Sequence, residues 1–304
     1  MPSLIILTKD SHLYRPIIES EKLPGLILAE KPSPSCEIAM GSPLMIRDVL
    51  SEMPNLKWAQ STWAGVEPLL DPSLRRNYIL TNARGVFGQL MSEFVLAYLL
   101  AHERKLFELA EKQKVKEWRG FQAQSLRGRT IGLLGVGSIG AEVARTAKFF
   151  GMDVRGYTRA GETCEHVGRY YHPGQLNEFA DGLDYLVNIL PNTKDTQKIV
   201  DARLLNALPS HALFINVGRG SAVDESGLVE ALEGERIAGA VLDVFEEEPL
   251  PQGHPFWTAK NLTMTFHTSA PSLPEDIAKV FIANYQRYIT GKPLNHIVDF
   301  EKGY

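Results

Sequence analysis

Gly135, Gly137 and Gly140 form a Gly-x-Gly-x-x-Gly pattern between the apolar run 130–134 and the helical pattern 141–150. Such a turn can hold phosphate. The first glycine permits the tight turn, the second lets the backbone approach a pyrophosphate, and the third lets helix and strand pack closely. The phosphates would then meet unpaired amides at the positive end of the helix. A glycine triplet alone is weak evidence; the strand before it and the helix after it favour a nucleotide. Three later segments also carry reactive types. Arg219 stands between Gly218 and Gly220 after the apolar run 212–217, Asp243 precedes the acidic triplet Glu246, Glu247 and Glu248, and His267 follows the run 262–266. An arginine between glycines is poorly placed for packing and well placed to reach an anion, though it could equally be solvated on a turn. Taken singly, the triplet reads as a solvated loop and the histidine as structural. All three lie just past predicted strands, where a doubly wound sheet gathers its ligands.

These residues need elements to position them. At 304 residues the chain is too long for one typical core, so two domains are expected. In the first hundred residues, short apolar runs at 4–7, 26–29, 38–40 and 56–60 alternate with amphipathic segments at 11–19 and 44–53. That alternation predicts a small parallel sheet with helices on its faces. Residues 87–114 carry one long helical pattern suited to bridging two domains, and 116–127 reads as a loop. A second series of strands is predicted at 130–134, 154–157, 185–190, 212–217, 238–244 and 262–266. The amphipathic helix at 277–289 is expected to return to the first domain. The predicted class is α/β, with two Rossmann-like/flavodoxin-like domains on doubly wound parallel sheets. Residues 1–98 plus 275–304 would form a discontinuous substrate domain, and 99–274 the nucleotide-binding domain.

Composition excludes several functions. A net charge of -4 gives no reason to expect nucleic acid or an anionic membrane as partner. The longest strongly apolar run, 94–101, is far below the ~20 residues of a membrane span. Residues 1–7 lack a basic leader and read as a first strand. Cys36 and Cys164 lie far apart and outside any metal-ligand spacing, so plain thiols in a reducing cytoplasm, and no metal, are expected.

The order and spacing of Gly-x-Gly-x-x-Gly at 135–140, Gly-Arg-Gly at 218–220, Asp-Val-Phe-Glu-x-Glu-Pro at 243–249 and His-x-Ser at 267–269 resembles the D-isomer-specific 2-hydroxyacid dehydrogenases over nearly the whole chain. The segments 188–193 and 298–304 are similar to the family's bacterial glyoxylate/hydroxypyruvate reductases. The resemblance implies hydride transfer between a nicotinamide cofactor and a small 2-keto acid, giving the D-2-hydroxy acid. Such a reduction needs a hydride donor, a cation for the carboxylate and an acid for the carbonyl oxygen. Arg219 matches the family guanidinium, which can grip carboxylate and carbonyl oxygens in a planar fork. His267 matches the general acid. Glu248, directly before Pro249, matches the partner that orients the imidazole and raises its pKa; Glu246 and Glu247 are then loop charges.

Cofactor contacts are implied for Gly135, Gly137, Ser138, Ile139, Gly140, Leu190, Pro191, Thr196, Val217 and Asp243. Asp243 would meet the nicotinamide carboxamide, although an aspartate at a strand end could equally be a cap. The segment 61–67 resembles the family's substrate loop, with Trp63, Ala64, Gly65 and Val66 binding substrate, the last three through their backbone. The Trp63 indole would either narrow the pocket towards small acids or pack between domains. Two departures stand out: Phe266 replaces a proline common before the family histidine, and Arg84 is unusual in its segment.

The coenzyme is read from the end of the strand 154–157. NAD-preferring folds place a carboxylate about twenty residues past the glycines to bind the ribose 2′-hydroxyl. Here that position is Thr158, followed by Arg159, so no acid repels a 2′-phosphate. A solvated Arg159 would still leave the acid missing. NADP(H) is expected over NAD(H), which stays possible. The leading expectation is NADPH-dependent reduction of glyoxylate or hydroxypyruvate. A dinucleotide-sensing, corepressor-like binding protein and an NAD-dependent dehydrogenase of another substrate are the alternatives. The resemblance also implies a homodimer, through the nucleotide domains and the apolar helix face near 94–100.

Overall fold

The computed structural model describes residues 1–118, 120–159 and 161–303. Arg119, within the expected loop 116–127, and Tyr304, within the C-terminal likeness, lie outside them. The chain forms two compact units, Met1–Val86 with Ser272–Tyr304, and Phe87–Pro271.

In the first unit, β1 (Ser3–Leu7), β2 (Ile27–Leu28), β3 (Ile38–Gly41), β4 (Trp58–Ser61) and β5 (Ile79–Thr81) pair in parallel in the order β2-β1-β3-β4-β5. This is the flavodoxin-like doubly wound order. Every residue of β3 and β4 is buried, as befits parallel strands covered on both faces. Helix α1 (Ser11–Ser20) turns Tyr14 and Ile18 inward, and α2 (Pro43–Asp48) starts where the Ser42 side chain accepts from the Met45 amide. The short β5, with polar Thr81 at its end, gave no strand signal in the sequence.

The second unit contains α3 (Gly88–Glu103), α4 (Leu106–Lys114), β6 (Thr130–Leu134), α5 (Ser138–Phe149), β7 (Asp153–Tyr157), β8 (Arg169–Tyr171), α6 (Leu176–Ala180), β9 (Tyr185–Asn188), α7 (Ala202–Ala207), β10 (Leu213–Asn216), α8 (Glu225–Glu233), β11 (Gly239–Leu242) and β12 (Leu262–Met264). Its parallel sheet runs β12-β11-β10-β9-β6-β7-β8. Chain order reverses between β6 and β9, the switch point where a Rossmann sheet opens its ligand crevice. Helix α9 (Pro274–Ile289) then belongs to the first unit. There it buries Ile277, Phe281 and Tyr285, and stacks Phe281 on Trp58 at 5.1 Å between ring centroids.

Register sets the site. Leu134 lies opposite both Tyr157 and Asn188, Asn216 opposite both Asn188 and Leu242, and Leu242 opposite Met264. The carboxyl ends of six strands therefore lie in one row. The residues that follow (Gly135, Thr158, Ile189, Val217, Asp243 and Thr265) leave the sheet at the same edge.

Two expectations need correction. The single helix at 87–114 is two helices, because Lys105 adopts a left-handed backbone with φ of 50°. The break falls where burial ends: α3 packs Met91, Val95, Leu96 and Leu99 into the core, whereas α4 buries no residue. Those contacts also place all of α3 in the second unit, so the observed divisions fall after Val86 and Pro271 rather than at 98 and 274. Among the described residues, no helix is long and apolar enough to cross a membrane.

Candidate active site

The phosphate turn is built as its glycines require. Gly135 has φ of +101°, a conformation side chains disfavour. A Cβ on Gly140 would stand 2.2 Å from the Gly135 carbonyl oxygen, so helix and turn meet only without a side chain there. A Cβ on Gly137 would meet nothing within 4 Å; it would fill open space before the exposed Ser138 at the start of α5. That opening beside helix amides fits a pyrophosphate. Ile139 packs against the core below. At the neighbouring strand end, Thr158 is half-buried and Arg159 exposed. Beyond β9, Leu190 is half-buried and Pro191 exposed, while the buried Thr196 hydroxyl donates to the Pro191 carbonyl at 2.7 Å and accepts the Thr193 amide at 2.9 Å. Thr196 thus holds its own loop.

The Gly-Arg-Gly turn follows β10 and is fixed from below. A Cβ on Gly220 would overlap the backbone of Phe245 at 1.8 Å, which explains why that glycine flanks the arginine. Val217 is buried and its amide donates to the Asn188 carbonyl at 3.1 Å. Fully buried Asn216 accepts the Gly218 amide at 3.2 Å and donates to the Arg219 carbonyl at 3.1 Å. Its oxygen also accepts from Asn188 at 2.8 Å. The Arg219 Nη1 donates to the Gly218 carbonyl at 2.8 Å, so the half-buried guanidinium folds over its own turn.

Asp243, immediately past β11, is fully buried. Oδ1 accepts the Thr265 hydroxyl and, at 2.8 Å, the Thr268 amide; Oδ2 accepts the Ser269 amide at 3.0 Å. Its carbonyl takes the His267 amide at 2.8 Å. These bonds tie the Asp243 carboxylate to the loop after β12. Burial pushes its carboxyl up, but the bonds from Ser269, Thr265 and Thr268 outweigh that and hold it below the usual carboxylate range. They also clamp His267 in a left-handed conformation with φ of 56°, uncommon for a residue with a side chain.

So held, the His267 Nδ1 meets the Glu248 Oε2 at 2.8 Å. The other carboxylate oxygen, Oε1, accepts the Phe245 amide at 3.0 Å and keeps Glu248 aimed. The bond to Glu248 raises the imidazole pKa, against burial and the positive charge of Arg219. Burial pushes Glu248 up, while the His267 bond, the Phe245 amide and the charges of His267 and Arg219 leave it below its ordinary value. Arg219, Glu248 and His267 thus lie within electrostatic reach of one another at the carboxyl edge of β10, β11 and β12. Glu246 and Glu247 are exposed on the loop. Phe266, beside the histidine, is 67% exposed and tilts against Trp257 with ring centroids 6.3 Å apart.

In the first unit, the segment after β4 holds Trp63 to Val66. The Trp63 indole is exposed and its carbonyl accepts the Ala83 amide at 3.1 Å. Asn82 donates to the Ala64 carbonyl at 2.8 Å, and Val66 is anchored in the core. Among the described residues, no acceptor meets the amides of Ala64, Gly65 and Val66. Arg84 faces His296, whose pKa burial lowers first and the arginine's charge lowers further.

Residues 96–269, more than half of the chain, match the family described as D-isomer specific 2-hydroxyacid dehydrogenase, NAD binding domain. The chain belongs to this family. It is 34% identical over 266 residues to glyoxylate/hydroxypyruvate reductase A of Serratia proteamaculans, covering 84% of each chain. Its fold is similar to that of a D-isomer specific 2-hydroxyacid dehydrogenase family protein from Aeromonas salmonicida, with TM-score 0.94 and 40% identity over 98% of this chain and 99% of that one. It is also similar to an NADPH-dependent glyoxylate/hydroxypyruvate reductase from Sinorhizobium meliloti in complex with NADP and sulfate, with TM-score 0.89 and 29% identity over 100% of each chain. As a D-2-hydroxyacid dehydrogenase family member, the protein is an NAD(P)-dependent oxidoreductase.

Sequence reasoning missed several residues that the structure brings to this candidate site. Asn188 and Asn216 close apolar strands yet are fully buried, and together they set the arginine turn. A polar residue ending a continuous apolar run was the available signal. Asp195, Glu162 and His172 gave none, because only the folded loops bring them beside Thr158 and Arg159.

Proposed function

We propose that this enzyme uses NADPH to reduce a small 2-keto acid, glyoxylate or hydroxypyruvate, to the D-2-hydroxy acid. The observation that carries the reading is the Glu248–His267 pair at 2.8 Å, with Arg219 near enough to depress the pKa of both. A corepressor-like binding protein has no need of such a pair. When bound, the nicotinamide supplies the hydride; the remaining steps belong to the chain. Arg219 binds the substrate carboxylate and polarises the carbonyl oxygen as negative charge grows on it. With Nδ1 engaged by Glu248, His267 gives its proton from Nε2 to that oxygen. Glu248 keeps the imidazole charged and turned in the productive direction. The amides of Ala64, Gly65 and Val66 are donors suited to a carboxylate, and we assign them and Trp63 to substrate binding.

The cofactor is held by Gly135, Gly137, Ser138, Ile139 and Gly140 at its pyrophosphate, and by Leu190, Pro191, Thr196, Val217 and Asp243 along the crevice. Thr158 and Arg159 take the 2′-phosphate, supported by the absence of a carboxylate at the end of β7. Two relatives crystallised with NADP or NADPH agree with this choice. We also propose a homodimer in a reducing cytoplasm. Leu96 and Leu99 of the face near 94–100 are buried within the chain, while Leu106 and Phe107 of α4 are 52% and 58% exposed and offer apolar surface instead. Sedimentation of the purified chain tests this assembly. The activity is tested by following NADPH oxidation over a panel of 2-keto acids. Turnover with glyoxylate or hydroxypyruvate is expected, and no turnover with any of them overturns the proposal.

A further inference from the structure

The end of β7 lacks the carboxylate that would bind a ribose 2′-hydroxyl, but a carboxylate reaches the same place from elsewhere. Asp195 lies in the segment after β9, and its Oδ2 pairs with the Nη1 of Arg159, 36 residues away in sequence. That segment is not loose, because the buried Thr196 hydroxyl ties it to Pro191 and Thr193. A histidine also flanks the position. The His172 Nδ1 faces the Thr158 carbonyl at 3.0 Å and its Nε2 faces the Glu162 Oε1 at 2.8 Å. An imidazole with an acceptor on each nitrogen satisfies both only when doubly protonated.

We propose that Asp195 tempers the NADP(H) preference of this enzyme, by competing with the 2′-phosphate of NADP(H) for the Arg159 guanidinium. This rests on the reading above that Arg159 binds that phosphate. A phosphate brings about −1.5 to −2 charges and three acceptor oxygens, so it outcompetes one carboxylate for a guanidinium fork. The contest still costs NADPH part of its advantage, since the Asp195 charge must be displaced and then stands near the phosphate. NADH has no group that competes, and its 2′-hydroxyl is a donor that a carboxylate accepts. Asp195 therefore restores from β9 some of the NAD(H) affinity that the end of β7 omits. The enzyme is tuned towards NADPH without excluding NADH.

The effect is modest because both side chains are partly exposed, at 45% and 68%. Exposed pairs of this kind change an equilibrium by up to about fivefold, and relief of charge repulsion adds to that. Wild type, Asp195→Asn, Asp195→Ala and Arg159→Ala would each be titrated with NADPH and NADH by coenzyme fluorescence at low and high salt. Both Asp195 variants should raise the ratio of Kd for NADH to Kd for NADPH about 3- to 10-fold at low salt, and less at high salt. Arg159→Ala should lower that ratio. If Arg159→Ala lowers it while both Asp195 variants leave it unchanged, the inference fails and the phosphate site stands. If Arg159→Ala leaves the ratio unchanged, the phosphate site itself is wrong and the inference falls with it.

Discussion

Asp243→Asn is the sharpest test of how the histidine is held. The substitution exchanges one carboxylate oxygen for an amide nitrogen and removes a charge at a fully buried position. Three donors converge on the native carboxylate: the Thr265 hydroxyl, the Thr268 amide at 2.8 Å and the Ser269 amide at 3.0 Å. Asparagine offers one acceptor oxygen, so at least one amide meets a donor instead. Hydrogen bonds to charged groups are each worth about 1.5–3 kcal/mol, and an orphaned buried donor costs about 1–3 kcal/mol. The two figures overlap, because both count the lost partner; together they give about 2–4 kcal/mol. At ~2–4 °C per kcal/mol for a unit of this size, Tm should fall by about 5–15 °C at pH 7. Folding lowers the Asp243 pKa, so its stabilisation is fully present above the unfolded value of about 3.9 and is lost as pH falls through the folded value. Melting curves should therefore separate widely at pH 7 and converge in stronger acid. A variant melting within 2 °C of wild type at pH 7 would refute the reasoning.

The remaining predictions concern the residues around that loop. Arg219→Ala should lower kcat/KM by at least about 100-fold, or about 3 kcal/mol, as for loss of a desolvated charge clamp; wild-type kcat/KM would remove Arg219 from the reaction. His267→Ala should slow kcat about 10²–10⁴-fold, and a near-normal rate would show that another group donates the proton. In Glu248→Gln the imidazole loses the main cause of its raised pKa. The protonated form then disappears at lower pH, so the alkaline limb of the reduction rate should move down in pH; an unmoved limb would uncouple the pair. Gly220→Ala forces a Cβ to within 1.8 Å of the Phe245 backbone, which must shift. Overpacking of this kind costs at least about 1–3 kcal/mol, and an unchanged Tm would contradict the close approach.

The sequence made the chemistry more legible than the geometry that supports it. Arg219 and His267 drew their expected roles from the order of several motifs and the resemblance it carries, whereas glycine spacing pointed to the phosphate turn because it depends on local order along the chain. Both doubly wound sheets were readable for the same reason, as buried parallel strands leave continuous apolar runs. Long-range partners were readable only where the resemblance implied them, as for Glu248 and His267. One helix was expected where there are two, because the apolar pattern to Leu109 looks alike whether or not a core lies beneath it. The three-residue β5 and β8 were missed because each carries polar or charged residues in place of a continuous apolar run. The partners of Asp243 were not readable either, since Thr265, Thr268 and Ser269 reach it from the loop after another strand.

Asp243 is one member of a polar seam along the carboxyl edge of the sheet. Asn188 ends β9, Asn216 ends β10 opposite it, and Asp243 follows β11 in the next register. All three are fully buried at the ends of apolar strands. Each instead bonds backbone belonging to a loop of the site: Asn188 takes the Leu190 amide at 3.3 Å, Asn216 holds Gly218 and Arg219, and Asp243 holds Thr268 and Ser269. Buried polar groups are costly unless satisfied, so a seam most of whose bonds go to loops makes loop position part of the core's stability. Loosening the arginine turn or the histidine loop then exposes unpaired buried groups at a cost of kilocalories. A reductase gains from that coupling, because transferring hydride and proton to one substrate requires its charged groups to be in place beforehand.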